Sequence, residues 1–355
     1  MLRKAAGVST VCVIIACCLG CGSTVSHFVF AALPAANQIA VYREDPNSGI
    51  LTAIANSPFA TGTGPQSIAV HPSRKYLYVA NSGDTTPDVS LFTISSVGAL
   101  TEVTPRTAVN GAPFYLAMDP GGSFLYVASP ISNSVSVFSI NSGSGALTAV
   151  SGSPFPLGVT PVSMQLSPSG KFLYVGVSGS PGAVEAFNLK GGVLSIAGTT
   201  ATGANPYGLA IDPAGKYLYT ANSLDNSISE FTIASNGTLT QLSGSPIGQS
   251  FNAPVALLVD ASGKHLYVAN EGSNNIAVYS IGTGGALTVL ATPTFGTETT
   301  PSFLAADPNG KFLMVGSQGS SAGIQVFGFI SDGTLTSSIA TYSQGNTISS
   351  LSVIQ

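Results

Sequence analysis

Charged side chains are scarce. Lys and Arg number 11 and Asp and Glu 15, so 7% of the 355 residues are charged, where roughly a quarter is usual in soluble domains. A net charge of -4 provides no basic stripe to displace counterions from phosphates, which excludes nucleic acid as a partner. Trp is absent and His occurs three times, which argues against sugar or quinone sites built on indole platforms. All four cysteines fall at positions 12, 17, 18 and 21, leaving the rest of the chain without a disulfide framework. Beyond the first twenty residues no stretch has a helical period. There is no HExxH, no Gly-rich loop ending in Lys-Ser/Thr and no Gly-x-Ser-x-Gly elbow with a plausible His partner, so no cofactor is expected. What is abundant is apolar residues, at 44%, with Gly 41 and Pro 22. Such a chain collapses rather than staying solvated.

The N-terminus reads as an export signal. Arg3 and Lys4 precede an apolar run from Ala5 to Leu19, too short for a bilayer span of about 20 residues. Cys18-Leu19-Gly20-Cys21 resembles a bacterial lipobox, which implies lipidation of Cys21 after cleavage behind Gly20, with Cys17 as a second candidate. The expected organisation is a lipoprotein-type signal over 1–20, a short tether over 21–27 and one domain over 28–355. The expected location is the cell envelope, outer membrane, with the protein monomeric and held to the membrane by its lipid.

A repeat of 45 to 48 residues organises the remainder. Tyr-Leu-Tyr-Val-Ala-Asn at 76–81 recurs as related runs centred on Tyr126, Tyr174, Tyr219, Tyr267 and Met314, with a degenerate copy at Phe28-Val29-Phe30-Ala31. A second signature keeps the same count of seven: Gly49-Ile50-Leu51-Thr52, Gly98-Ala99-Leu100-Thr101, and equivalents starting at Gly145, Gly192, Gly237, Gly285 and Gly333. Each full unit holds four strand-like runs, the first two joined by turns such as Asp212-Pro213-Ala214-Gly215-Lys216, in which Pro fixes φ and Gly takes the positive φ. Four short antiparallel strands per unit predict an all-β, seven-bladed β-propeller. The first unit lacks its inner strand, and the C-terminal segment supplies it: Leu351 and Val353 match Ile68 and Val70. That removes the open edge. The many Tyr and Phe recur at strand positions and read as core between blades.

Asp-Pro-x-Gly-Lys, Leu-Tyr-Val-Ala-Asn and Gly-Ala-Leu-Thr together resemble the Tyr-Val-Thr-Asn-repeat, lactonase-like propellers, over about residues 28 to 355. That resemblance implies the seven-bladed fold and, from the 6-phosphogluconolactonases among its members, metal-independent hydrolysis of a sugar-acid lactone.

The residues themselves sort by face. Lys75, Lys171, Lys216, Lys264, Lys311 and Arg74 fall in the hairpin turns opposite the ligand-side mouth, and His27 falls in the tether. The mouth is left with acids: Asp84, Asp88, Asp225, Glu271 and Glu298. Asp225 and Glu271 are the candidate catalytic carboxylates, with Arg106, placed after a fourth strand, as the candidate cation. Asn81, Asp84 and Asp88 are the candidate hard-cation ligands, against the alternative that Asp84, Asp88 and Asp225 are solvated turn formers. With no catalytic constellation evident, the favoured expectation is a non-catalytic binding or scaffold propeller on the cell envelope, meeting a protein or glycan at its mouth. The alternative is a lactonase.

Overall fold

The computed structural model describes residues 27–83, 86–248, 251–319, 323–343, 345 and 347–355. Seven antiparallel sheets follow one another along the chain. In blade two the strands are Pro65–Val70, Tyr76–Asn81, Asp88–Ile94 and Leu100–Ala108, innermost to outermost. Blade five repeats this as Pro206–Ile211, Tyr217–Asn222, Ser227–Ile233 and Leu239–Gln241. Among the described residues one 3-10 turn, Pro34–Ala36, is the only helix.

The period of two along each second strand explains why both of its faces are apolar. Tyr76 and Tyr78 pack with Leu125, Val127 and Phe138 of blade three. Leu77 and Val79, pointing the other way, pack with Phe28, Phe30 and Val41 of blade one. Each pair of neighbouring blades thus has its own core, and the ring holds seven of them. Full burial of a Leu or Phe in such a layer contributes roughly 1.5–3 kcal/mol relative to exposure.

The two repeated signatures meet across each boundary. Tyr78 Oη donates to Gly145 O at 2.7 Å, Tyr174 to Gly237 O at 3.1 Å, Tyr219 to Gly285 O at 2.8 Å and Tyr267 to Gly333 O at 2.8 Å. The same glycines hold positive φ, and a Cβ on Gly145, Gly237 or Gly285 would lie 2.7 Å or less from the ring that opens the preceding blade's second strand. Tyrosine and glycine are therefore two halves of one inter-blade fastening.

Closure follows the predicted register. Ser350–Ile354 runs antiparallel to His27–Leu33, with Leu351 opposite Ala31 and Val353 opposite Val29. Those are the positions that Ile68 and Val70 hold opposite Val79 and Leu77 in blade two. Side chains reinforce the seam: Ser349 Oγ donates to Pro65 O at 2.8 Å, and Ile68 N donates to Ser350 Oγ at 3.2 Å.

Two placements differ from expectation. His27 is not tether but the first residue of a strand, 1% exposed, because the strand pairing with Gln38–Glu44 extends to it. Arg106 does not follow the outer strand of blade two but lies inside it.

Candidate functional site

The inner strands enclose a central channel of about 490 Å³. In blades two, four, five, six and seven they start at a proline, and the register slips immediately behind it. A bulge of this kind re-aims a side chain. Four of the five displaced residues, Gln66, Tyr207, Val255 and Ser302, line the channel, together with Tyr115, Gln165, Glu271 and Gln318. The lining mixes neutral hydrogen-bonding groups with apolar wall from Leu116, Met164 and Phe303. Among the described lining residues Glu271 is the one carboxylate, and there is no Lys, Arg or His. Burial pushes the Tyr115 hydroxyl well above its ordinary value, and the Tyr207 hydroxyl beside it adds to the shift. It is therefore a neutral donor throughout the physiological range.

The mouth is pinned by asparagines in left-handed conformation. Asn37, Asn133, Asn226 and Asn274 all have φ between 46° and 55°. Asn37 Oδ1 accepts from Gly64 N at 2.9 Å, Asn226 Oδ1 from Ala253 N at 2.7 Å and Asn274 Oδ1 from Thr300 N at 2.8 Å. Asn133 Oδ1 accepts from the Thr160 hydroxyl at 3.0 Å. Each asparagine thus holds the residue that precedes the next blade's inner-strand proline. Ala253 and Thr300 themselves carry positive φ, 48° and 54°, a conformation that non-glycine residues adopt only when their surroundings enforce it. Ala253 O in turn accepts the backbone N–H of Glu271 at 3.0 Å. Asn226, Ala253 and Glu271 form one chain of contacts from rim to channel. No motif in the sequence marks these asparagines, and nothing in it shows that they reach into the neighbouring blade.

The structure separates the predicted site residues. Glu271 reaches the channel, immediately after the second strand of blade six, His265–Asn270. Asp225 does not line it; its Oδ2 accepts the backbone N–H of Ala204 and fastens one mouth loop to another. Arg106 lies at the outer edge of blade two, its Nε donating to Glu102 Oε1 at 2.6 Å and its Nη1 lying 3.7 Å from Asp88 Oδ2. It is not among the residues that line the channel.

Asn81 is fully buried. It donates from Nδ2 to Asp88 Oδ1 at 2.6 Å and to Ser90 Oγ at 2.9 Å, and it accepts from Thr61 Oγ1 at 3.3 Å. Its amide nitrogen faces Asp88, an arrangement that knits the second and third strands together and does not converge oxygens on a cation. Asp84, the third member of that set, lies outside the described residues.

A family profile described as lactonase, seven-bladed β-propeller, matches residues 36–160, 156–250 and 241–349. A 6-phosphogluconolactonase of Bacillus subtilis is 30% identical over 118 residues, and one of Blochmanniella pennsylvanica is 32% identical over 118 residues. Each match spans about a third of this chain and 33% of the relative's length. Among solved structures, a protein from Lactobacillus plantarum superposes with a TM-score of 0.79 at 21% identity, covering 93% of this chain and 99% of the other. The periplasmic gluconolactonase of Pseudomonas aeruginosa gives a TM-score of 0.76 at 21% identity, covering 93% and 99%. At these identities the structures establish the shared fold. The family and its two enzymes overturn the expectation of a non-catalytic scaffold and favour the lactonase alternative.

Proposed function

Since the chain belongs to the lactonase family of seven-bladed β-propellers, we propose that it hydrolyses a lactone in the central channel, and that this lactone is neutral. One observation carries the choice of substrate class: among the described residues lining the channel, the single charged side chain is the Glu271 carboxylate. A phosphorylated sugar lactone calls for cationic side chains around its phosphate, and a carboxylate there repels it. A polyhydroxylated, unphosphorylated lactone instead finds partners in Gln66, Gln165, Gln318, Tyr115, Tyr207 and Ser302.

The reaction balances with these groups. Glu271 accepts a proton from water as the water oxygen bonds to the lactone carbonyl carbon. The oxyanion that develops is met by neutral donors from the glutamine amides and tyrosine hydroxyls. Collapse breaks the ring carbon–oxygen bond, and the proton held by Glu271 passes to the departing ring oxygen. The product is the open-chain hydroxy acid, and the carboxylate is regenerated.

A pH-indicator assay with glucono-1,5-lactone and its 6-phosphate, run side by side, tests the reading. Saturable turnover with kcat/KM higher for the neutral lactone supports it, whereas a preference for the phosphate ester contradicts it.

The same proposal includes export and anchoring through Cys21, which lies outside the described residues; its support is Cys18-Leu19-Gly20-Cys21 behind an apolar run. A two-chain lipid anchor holds a protein stably at a membrane without a spanning helix. Metabolic labelling with a fatty-acid analogue should mark the parent chain and not Cys21→Ser. Labelling that persists in the variant would refute lipidation at this residue.

A further inference from the structure

Away from the channel, the seam between the first and last blades breaks the repeat in a chemically specific way. In six blades the residue that opens the second strand region faces an apolar residue closing the third. Backbone hydrogen bonds join Lys75 to Ile94, Ser123 to Ile140, Lys171 to Leu189, Lys216 to Ile233, Lys264 to Ile281 and Lys311 to Phe329. In blade one the same pair is His27 and Glu44. A buried carboxylate stands where every other blade has an aliphatic or aromatic side chain, opposite an imidazole.

Asp307, in the hairpin turn of blade seven, completes the group. His27, Glu44 and Asp307 are 1%, 1% and 3% exposed, and one ligating atom from each lies within 4.8 Å of the other two. His27 Nδ1 is 3.2 Å from Glu44 Oε2, and His27 Nε2 is 3.4 Å from Asn309 Nδ2. Asp307 Oδ1 accepts from Lys311 N and Phe312 N, and Oδ2 accepts from Asn309 N at 2.9 Å. Glu44 Oε1 is buried and has no hydrogen-bond partner. An orphaned acceptor on a buried carboxylate is costly, and it points to a missing electrophile.

We infer that His27, Glu44 and Asp307 bind a divalent transition-metal ion, with zinc as the reference ion, and that this ion clasps the first blade to the last. One imidazole nitrogen and two carboxylates form a donor set suited to zinc and its first-row neighbours and unlike the all-oxygen shells of calcium and magnesium. Two ligands come from blade one and the third from blade seven, so the ion bridges the first and last blades of the ring. The site lies on the hairpin-turn face, opposite the mouth, and takes no part in lactone chemistry.

The test is zinc binding by the purified, untagged chain after exhaustive chelation. Metal content following incubation with zinc and desalting, together with calorimetric titration, should give one ion per chain. His27→Gln and Glu44→Gln should each weaken binding at least tenfold. Zinc should raise the melting temperature of the parent and leave those of both variants unmoved. Asp212→Asn alters the equivalent turn acid of blade five and should leave zinc binding intact, which separates turn damage from ligand loss. Cobalt in place of zinc should give d–d absorption that disappears in Glu44→Gln. Zinc content near zero in the folded parent chain overturns the inference, as does stoichiometric binding that survives in both His27→Gln and Glu44→Gln.

Discussion

Tyr78 and Gly145 are 67 residues apart, yet the tyrosine hydroxyl donates to the glycine carbonyl at 2.7 Å inside the boundary between blades two and three. Removing the hydroxyl in Tyr78→Phe leaves a buried carbonyl unpaired at a cost of about 1–3 kcal/mol. Gly145→Ala should cost more, because the residue has φ +75° and a Cβ there would sit 2.7 Å from Tyr76 Cδ1. Urea unfolding of the two variants should rank them in that order, and a neutral Gly145→Ala would contradict the fastening described here.

Ring closure rests on the last five strand residues. A chain ending at residue 345 loses the buried Ile348 and Leu351 and exposes the edge of His27–Leu33. Because each blade is held by both neighbours, the expected outcome is a large drop in the melting temperature of the whole ring, followed by calorimetry. A transition unchanged in midpoint and enthalpy would contradict it.

Glu230 offers a pH-dependent test. It is 3% exposed, and burial raises its carboxyl above the ordinary 4.5, opposed by the Leu287 N–H it accepts at 2.7 Å. Between the ordinary and folded values the folded chain holds more protons than the unfolded chain, so this residue lowers stability as pH rises from about 4.5. Glutamine keeps the acceptor and removes the charge. Glu230→Gln should melt like the parent near pH 4 and above it near pH 8; a gap independent of pH would refute the assignment.

Asn226 positions the channel carboxylate from the rim. Its carbonyl holds Ala253 N at 2.7 Å, and Ala253 O holds Glu271 N at 3.0 Å. Displacing a catalytic group by even about 1 Å can cost up to roughly 100-fold. Asn226→Gly, which keeps the positive φ and removes the side-chain carbonyl, should therefore lower kcat by about tenfold with little change in melting temperature, measured on glucono-1,5-lactone. Equal kcat in variant and parent would show that the rim does not position Glu271.

The architecture was legible because it is periodic. Seven copies of two signatures set the blade count, and the match of Leu351 and Val353 to Ile68 and Val70 set the closing register. The site was less legible because its geometry comes from departures from the period. Gln66 and Tyr207 reach the channel through bulges behind Pro65 and Pro206, which alternation does not reveal. Asp225 and Arg106 are near the mouth in sequence, but the first is committed to Ala204 N and the second to Glu102. Of the three catalytic candidates read from the sequence, only Glu271 faces the channel. His27 counted as tether because no apolar pattern marks the start of its strand, and its partner Glu44 interrupts a position that is apolar in the other blades.

The proposed hydrolysis of a neutral lactone depends on Glu271, the carboxylate that lines the channel. The most direct measurement is kcat/KM on glucono-1,5-lactone for the parent and Glu271→Gln, with folding verified by melting temperature. Glu271→Gln should show a fall of about 10²–10⁴-fold, the usual contribution of a general base, at unchanged stability. Parent-level kcat/KM in a folded Glu271→Gln chain would contradict it.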